Sequence, residues 1–309
     1  MITFSRNKIV FAVNKAIHPL ELPIRPLRDA DRRRLEDVLR QFCSETDQLS
    51  FSIDEKNGLF VLRGVREAQL TSLVQNLRRD EGLDLTLDAL RIAYLETITR
   101  TVEQDFTFKK HFGGGGQFAR VKISLVPLKR DGGVEFANDV YGGAVPRDFM
   151  AFVERGVRTA LLAGVVAGYP MTDLRVTLFD GAYHEVDSTP FAFETAGRNA
   201  TVQGALKAGP RLLEPIIRVA IITPLEFVRI VAGDFDKRRG RILDRTVVDA
   251  KMTFVALAPL ATLLGYDAAL DSMTNGAAMW SSEFEGYDFA GGGTGEPPEF
   301  PSTRGMRIA

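Results

Sequence analysis

From residue 174 the chain alternates in period two. Leu174, Val176 and Leu178 fall on one face, and Arg175, Thr177 and Phe179 on the other. That pattern predicts a strand with one buried face, and Asp180-Gly181 supplies the turn that ends it. Nearer the N-terminus the period lengthens. Leu35, Val38, Leu39 and Phe42, following Asp29, recur at helical spacing, as do Leu70, Leu73, Val74 and Leu77; both sets predict amphipathic helices. Between them, Phe51-Ser52-Ile53 and Leu59-Phe60-Val61-Leu62 flank Asn57-Gly58 as the arms of a hairpin. With strands expected around 20–24 and 83–87, the order is βαββαβ, which suits a ferredoxin-like sandwich.

Two further stretches follow. Residues 93–208 open with long strands around Gly113-Gly114-Gly115-Gly116, then a helix after Pro146 with Phe149, Phe152, Val153, Ala160 and Leu161 on one face and Gly164 as its stop. A second helix is expected from Phe191 to about Leu206, whose Ala192, Ala196, Ala200 and Ala205 predict close packing against the sheet. Residues 209–289 repeat the first pattern: a strand over 216–222, a helix over 224–231, a turn at Arg238-Arg239-Gly240-Arg241, a strand over 251–256, a short helix near 259–264 and a last strand near 279–284. The fold class expected is α+β, two ferredoxin-like sandwiches flanking a central α+β domain. Residues 290–309, rich in glycine and proline, read as a flexible tail. Residues 1–18 are an unassigned leader containing the strand-like Ile9-Val10-Phe11-Ala12-Val13.

At 309 residues, 45% hydrophobic and 26% charged, the chain has apolar material for two or three cores. No apolar run is long enough to span a membrane, so a cytoplasmic location and no membrane partner are expected. The lone cysteine, Cys43, can form neither an internal disulfide nor a cysteine zinc site. A net charge of −1 excludes nothing, because a neutral protein can still carry one basic patch.

Two places carry candidate chemistry. The loop after the Asp180-Gly181 turn, Tyr183-His184-Glu185-Val186-Asp187-Ser188, sets a histidine among acids on what should be a rigid scaffold. Lys237-Arg238-Arg239-Gly240-Arg241 puts four cations in five residues at a turn, suited to phosphate contact. Each has a plain alternative, a solvated loop histidine and a solvated turn. A metal site from His111, Asp180, His184 and Asp187 requires two loops to meet and has no supporting ligand spacing, and general acid–base work by His184 is equally unsupported. No catalytic residue, metal or cofactor is expected. The phosphate-cradling Gly-x-x-x-x-Gly-Lys-Ser/Thr is absent from the sequence, and Gly113 to Gly116 run into Gln117 and Phe118 without a lysine.

A series of segments in fixed order adds a resemblance. Ala93-Tyr94-Leu95-Glu96-Thr97-Ile98, Gly113 to Phe118, Phe136 to Pro146, Gly168-Tyr169-Pro170, Tyr183 to Ser188, Leu212 to Ile216, Gly233 to Gly240 and Gly265-Tyr266 resemble the C-terminal three domains, III, IV and V, of bacterial elongation factor G. The resemblance covers about residues 19–289 and implies boundaries at 1–92, 93–208 and 209–289. It implies a ribosome-binding module acting in translocation, with ribosomal RNA and decoding-site tRNA and mRNA as partners, monomeric, and without GTPase activity of its own. A GTPase, if one acts, would be a separate one or a missing N-terminal domain. The residues it assigns to RNA contact are Gly113, Gly114, Gly115, Gly116, Gln117, His184 and Asp187 at the tip, and Lys237, Arg238, Arg239 and Arg241. Glycines admit close approach of backbone to RNA, and amides and imidazole can bond phosphate or ribose.

The chain also departs from that family. Gly115 stands where an arginine is usual, and Asp271, Asn275 and Ala278 stand where arginine, lysine and arginine are usual, so four cations are gone. Arg66-Glu67-Ala68-Gln69-Leu70-Thr71 replaces Gly-Glu-Leu-His-Leu-Glu. Fewer cations imply weaker attraction to RNA. The alternative function is therefore a GTPase-less paralogue that binds another RNA or a protein away from the ribosome.

Overall fold

The computed structural model describes residues 8–11, 18–54, 57–112 and 115–291. In chain order the strands and helices are β1 (Lys8–Phe11), β2 (Leu20–Pro26), α1 (Arg32–Ser44), β3 (Ser50–Asp54), β4 (Leu59–Gly64), α2 (Glu67–Arg79), β5 (Leu85–Leu87), β6 (Arg91–Ile92) and β7 (Leu95–Ile98). There follow β8 (Val102–Phe112), β9 (Gly115–Pro127), β10 (Val134–Asn138), α3 (Arg147–Ala163), β11 (Leu174–Ala182) and α4 (Pro190–Lys207). The last part holds β12 (Pro210–Pro224), α5 (Val228–Lys237), β13 (Arg241–Val248), β14 (Lys251–Pro259), α6 (Leu260–Leu263), α7 (Tyr266–Thr274) and β15 (Met279–Phe289).

The chain divides into two compact units. One is built on Tyr94–Leu213 and takes in β1; the other joins Ala16–Ala93 with Glu214–Asp288. In the first, the sheet order is β1-β10-β11-β9-β8. β10 and β11 are parallel and α3 connects them, while β9 runs antiparallel to β11. The leader thus supplies an edge strand, with Ile9 opposite Phe136. Leu174, Val176 and Leu178 are fully buried, as their alternation requires. Thr189 caps α4 by accepting from the Ala192 N–H at 3.2 Å, and the predicted small-residue face is buried. Part of that face meets α3, not the sheet: a Cβ on Gly156 would lie 2.1 Å from the Glu194 carbonyl oxygen. Side chains at this crossing would hold the helices apart, so glycine sets their spacing.

The other unit contains one topology twice. The first sheet runs β3-β4-β2-β5 and the second β13-β14-β12-β15, each the antiparallel order of a βαββαβ sandwich. Buried residues of both sandwiches form one contiguous cluster, with Leu35, Leu39, Leu70 and Leu77 from the first and Val231, Phe235 and Tyr266 from the second. Two elements here lie outside the patterns read from sequence. β13 is exposed at nearly every position, so it carries no alternation to read, and α7 buries only Tyr266, Leu270 and Thr274. The helix expected over 224–231 begins as a 3-10 turn at Leu225–Phe227 and continues as α5 to Lys237.

Candidate nucleic-acid interface

The end of the first unit's sheet where β9 begins and β10 and β11 finish gathers the β8–β9 hairpin, the 139–146 connection and the 183–189 loop. Gly115 and Gly116 open β9 opposite Phe112 and His111; Gly113 and Gly114 lie outside the described residues, as does the side chain of His111. Three hydrogen bonds tie the hairpin to the loop. The Phe118 N–H donates to the Asp187 carbonyl at 2.8 Å, the Ser188 hydroxyl donates to the Phe118 carbonyl at 2.7 Å, and the Thr189 hydroxyl donates to Gln117 Oε1 at 2.6 Å. The Asp187 carboxylate lies against the bare face of Gly116, where a Cβ would fall 2.5 Å from its Cγ. Residues far apart in sequence are thereby joined into one surface.

His184 is held through its own backbone. Its N–H donates to the Ser188 hydroxyl at 2.9 Å, and the Ser188 N–H donates back to the His184 carbonyl at 3.1 Å. Nδ1 accepts from the N–H groups of Val186 and Asp187, at 3.3 and 3.2 Å. A ring nitrogen that accepts two amides carries no proton, so the neutral ring bears its hydrogen on Nε2. With the side chain 57% exposed, that Nε2–H is the donor the tip can offer. Tyr141, absent from the sequence-predicted set, is 85% exposed on the neighbouring connection beside Gly142 and Gly143, both at positive φ.

Behind the tip the strands carry cross-strand ion pairs. Arg120 grips Asp105 through Nε and Nη2 at 2.9 and 2.5 Å. Lys122 meets Asp180 at 2.8 Å. Hydrogen bonding from Arg120 holds the Asp105 carboxyl below the usual carboxylate range, and bonding from Lys122, then from the Gly181 backbone, does the same for Asp180. Among the described residues no three His, Cys, Asp or Glu side chains gather as metal ligands.

The basic turn lies in the other unit and uses its cations differently. Arg238 donates to Asp234 Oδ2 and the Thr262 carbonyl, both at 2.6 Å, and sits 4.9 Å from the Tyr266 ring centroid. Arg239, at φ 60°, is paired with the buried Glu214. Lys237 and Arg241 are exposed and have no ion pair among the described residues.

A buried acid explains two segments whose structural use the sequence did not reveal. Glu96, on β7, is fully buried, and its carboxylate accepts the N–H groups of Val165, Val166, Ala167 and Tyr169 at 2.7–3.1 Å. The Glu96 N–H donates to the Pro170 carbonyl at 2.9 Å, and the rings of Tyr94 and Tyr169 lie 5.3 Å apart. The 94–98 and 168–170 segments are therefore two halves of one joint.

Family models for elongation factor G domain IV and for the elongation factor G C-terminus match residues 90–209 and 211–294, most of the chain between them. The chain belongs to the elongation factor G family. It is 37% identical over 270 residues to an elongation factor G from Wolbachia pipientis and 38% identical over 269 residues to one from Anaplasma marginale, strain Florida. Each alignment covers 87% of this chain and 39% of the relative, so the chain spans well under half the length of those elongation factor G proteins. A crystal structure of a Thermus thermophilus protein superposes with a TM-score of 0.66 at 31% identity, over 89% of this chain and 41% of that one. The matched parts are domain IV, the C-terminal domain and the region before them. They do not include the GTPase domain.

Proposed function

We propose that this chain is a ribosome-binding module of translation elongation in which the first unit's tip meets decoding-site tRNA and mRNA. The observation that carries the reading is the joined tip: Gly116, Gln117 and Phe118 stitched to Asp187–Thr189, with one tautomer of His184 presenting Nε2–H. Such a surface offers backbone and imidazole donors, which suits phosphate and ribose. Tyr141 adds an exposed ring on which a base can stack. Lys237 and Arg241 are the turn's phosphate contacts, while Arg238 and Arg239 hold the turn in shape. GTP hydrolysis, where the cycle needs it, comes from a domain or chain outside this sequence. The module acts as a cytoplasmic monomer.

A second reading, an interaction protein away from the ribosome, is favoured by one set of observations. Gly115, Asp271, Asn275 and Ala278 bring no cation, and two of the turn's four cations, Arg238 and Arg239, are engaged by carboxylates. Co-sedimentation with intact ribosomes across a salt series separates the two. Retention that weakens with salt, and weakens further in Lys237→Ala/Arg241→Ala and His184→Ala, supports the first reading. Absence of retention at low salt overturns it.

A further inference from the structure

The two sandwiches of the second unit meet through a pair of helix starts. Arg66, at the N-cap of α2, is paired through Nη2 with Asp267 in the first turn of α7. Its guanidinium lies 4.4 Å from the centroid of the Trp280 ring, and Trp280 Nε1–H donates to the same Asp267 oxygen at 2.9 Å. In return Glu67, in the first turn of α2, accepts the Gly265 N–H, at the N-cap of α7, at 3.2 Å. Each helix start thus receives a carboxylate, Asp267 within α7 and Glu67 within α2, where the helix dipole favours negative charge. The Trp280 ring is packed edge-on to the buried Tyr266 at 5.1 Å, so the clasp continues into the core of the second sandwich.

We infer that Arg66, Glu67, Asp267 and Trp280 form a clasp that, beside the buried cluster the two sandwiches share, fixes the first sandwich on the second, and that releasing it loosens this docking without unfolding either. Two features favour a releasable contact over a permanent one. Its charged groups keep partial solvent access, with the Arg66 and Asp267 side chains 25% and 39% exposed. Salt therefore reaches the pair. Arg66 Nε is buried without a hydrogen-bond partner, so the docked state leaves one polar group unsatisfied. Docking presets the spacing between surfaces that lie on the two sandwiches, which lowers the ordering cost when both engage one partner.

The chain holds one tryptophan, and it is Trp280, so intrinsic fluorescence reads the clasp directly. The test compares the full chain with Arg66→Ala, Arg66→Glu, Asp267→Arg and the charge-swapped double variant, by tryptophan emission and amide hydrogen exchange. Releasing the clasp is expected to red-shift the emission in each single variant. It is expected to raise exchange across residues 18–92 by about tenfold or more while β14 stays protected, the signature of a sub-global opening. The double variant is expected to recover most of both. Unchanged emission and exchange in Arg66→Ala, or a double variant as open as the singles, overturns the proposal. Should Arg66→Ala fail to fold, Arg66→Lys keeps the charge and loses the planar stack; it must then lie between wild type and the remaining variants, and wild-type behaviour in it also overturns the clasp.

Discussion

The tip and the basic turn are both short polar runs, yet the protein uses them in opposite ways. At the tip the backbone does the holding: His184 is fixed by amides and by Ser188, and its free ring nitrogen is left for a partner. At the turn the side chains do the holding: Arg238 and Arg239 are engaged by Asp234, Thr262 and Glu214, and two of the four cations remain outward. A run of charge therefore counts its ligand-binding groups only after its structural contacts have been subtracted. Arginine is suited to the inward role because its planar fork can satisfy a carboxylate, a carbonyl and a ring face at once.

The largest test of this contrast is Arg238→Ala. It removes hydrogen bonds to Asp234 and the Thr262 carbonyl together with the stack on Tyr266, and leaves a half-buried carboxylate without its cation. The expected cost is about 2–4 kcal/mol, from charged hydrogen bonds and the cation–π interaction. Chemical denaturation followed by Trp280 emission should show it as a lower midpoint at an unchanged slope. A loss below about 0.5 kcal/mol would make Arg238 a surface cation, and the contrast between the two regions would collapse.

Next comes Gly116→Ala. The new methyl would occupy the place of the Asp187 carboxylate, and overpacking of this kind costs on the order of 1–3 kcal/mol. Because Asp187 can rotate away, the low end of that range is expected, with weaker ribosome retention as the tip loses its register. Adding Asp187→Ala should restore stability in the double variant. A double variant no more stable than Gly116→Ala alone would place the strain elsewhere.

These positions also show what a sequence can tell. The βαββαβ order, the buried face of β11 and the small-residue face of α4 were legible because burial imposes a period. β13 was not, because an edge strand exposed along its length has no period to display. Nor was the joining of Gln117 to Thr189 or of Phe118 to Asp187 and Ser188, since backbone and hydroxyl bonds across about 70 residues leave no local pattern. Glu96 is the same case in the core. A fully buried glutamate reads as a surface residue until the four amides it accepts are seen. The inward use of Arg238 and Arg239 was equally hidden, because a cation's partner is a property of the fold and not of the run.

A smaller effect is expected from the outward cations. Lys237→Ala and Arg241→Ala should each change stability by less than about 0.5 kcal/mol. In each, the log–log slope of ribosome retention against salt should become shallower by about one for every phosphate no longer neutralised. Both variants showing wild-type slopes would mean that the turn has no outward function at all.

The smallest effect separates the tip's own scaffold from its surface. Asp105 and Asp180 have carboxyls held below the usual range by Arg120 and Lys122, so each stays ionised in the folded chain at pH values where the unfolded chain has begun to protonate. The sign follows from that order: their contribution is present above about pH 4 and is lost as pH falls through the lower, folded value. Both pairs are exposed and screened, so the contribution is small. Acid titration of Asp180→Asn against wild type should show a shallower loss of stability below about pH 4 in the variant, with the His184 loop unchanged at neutral pH. A steep acid dependence that survives in Asp180→Asn would locate the acid-sensitive group elsewhere. The Asp105–Arg120 pair is then the group to titrate next, in Asp105→Asn.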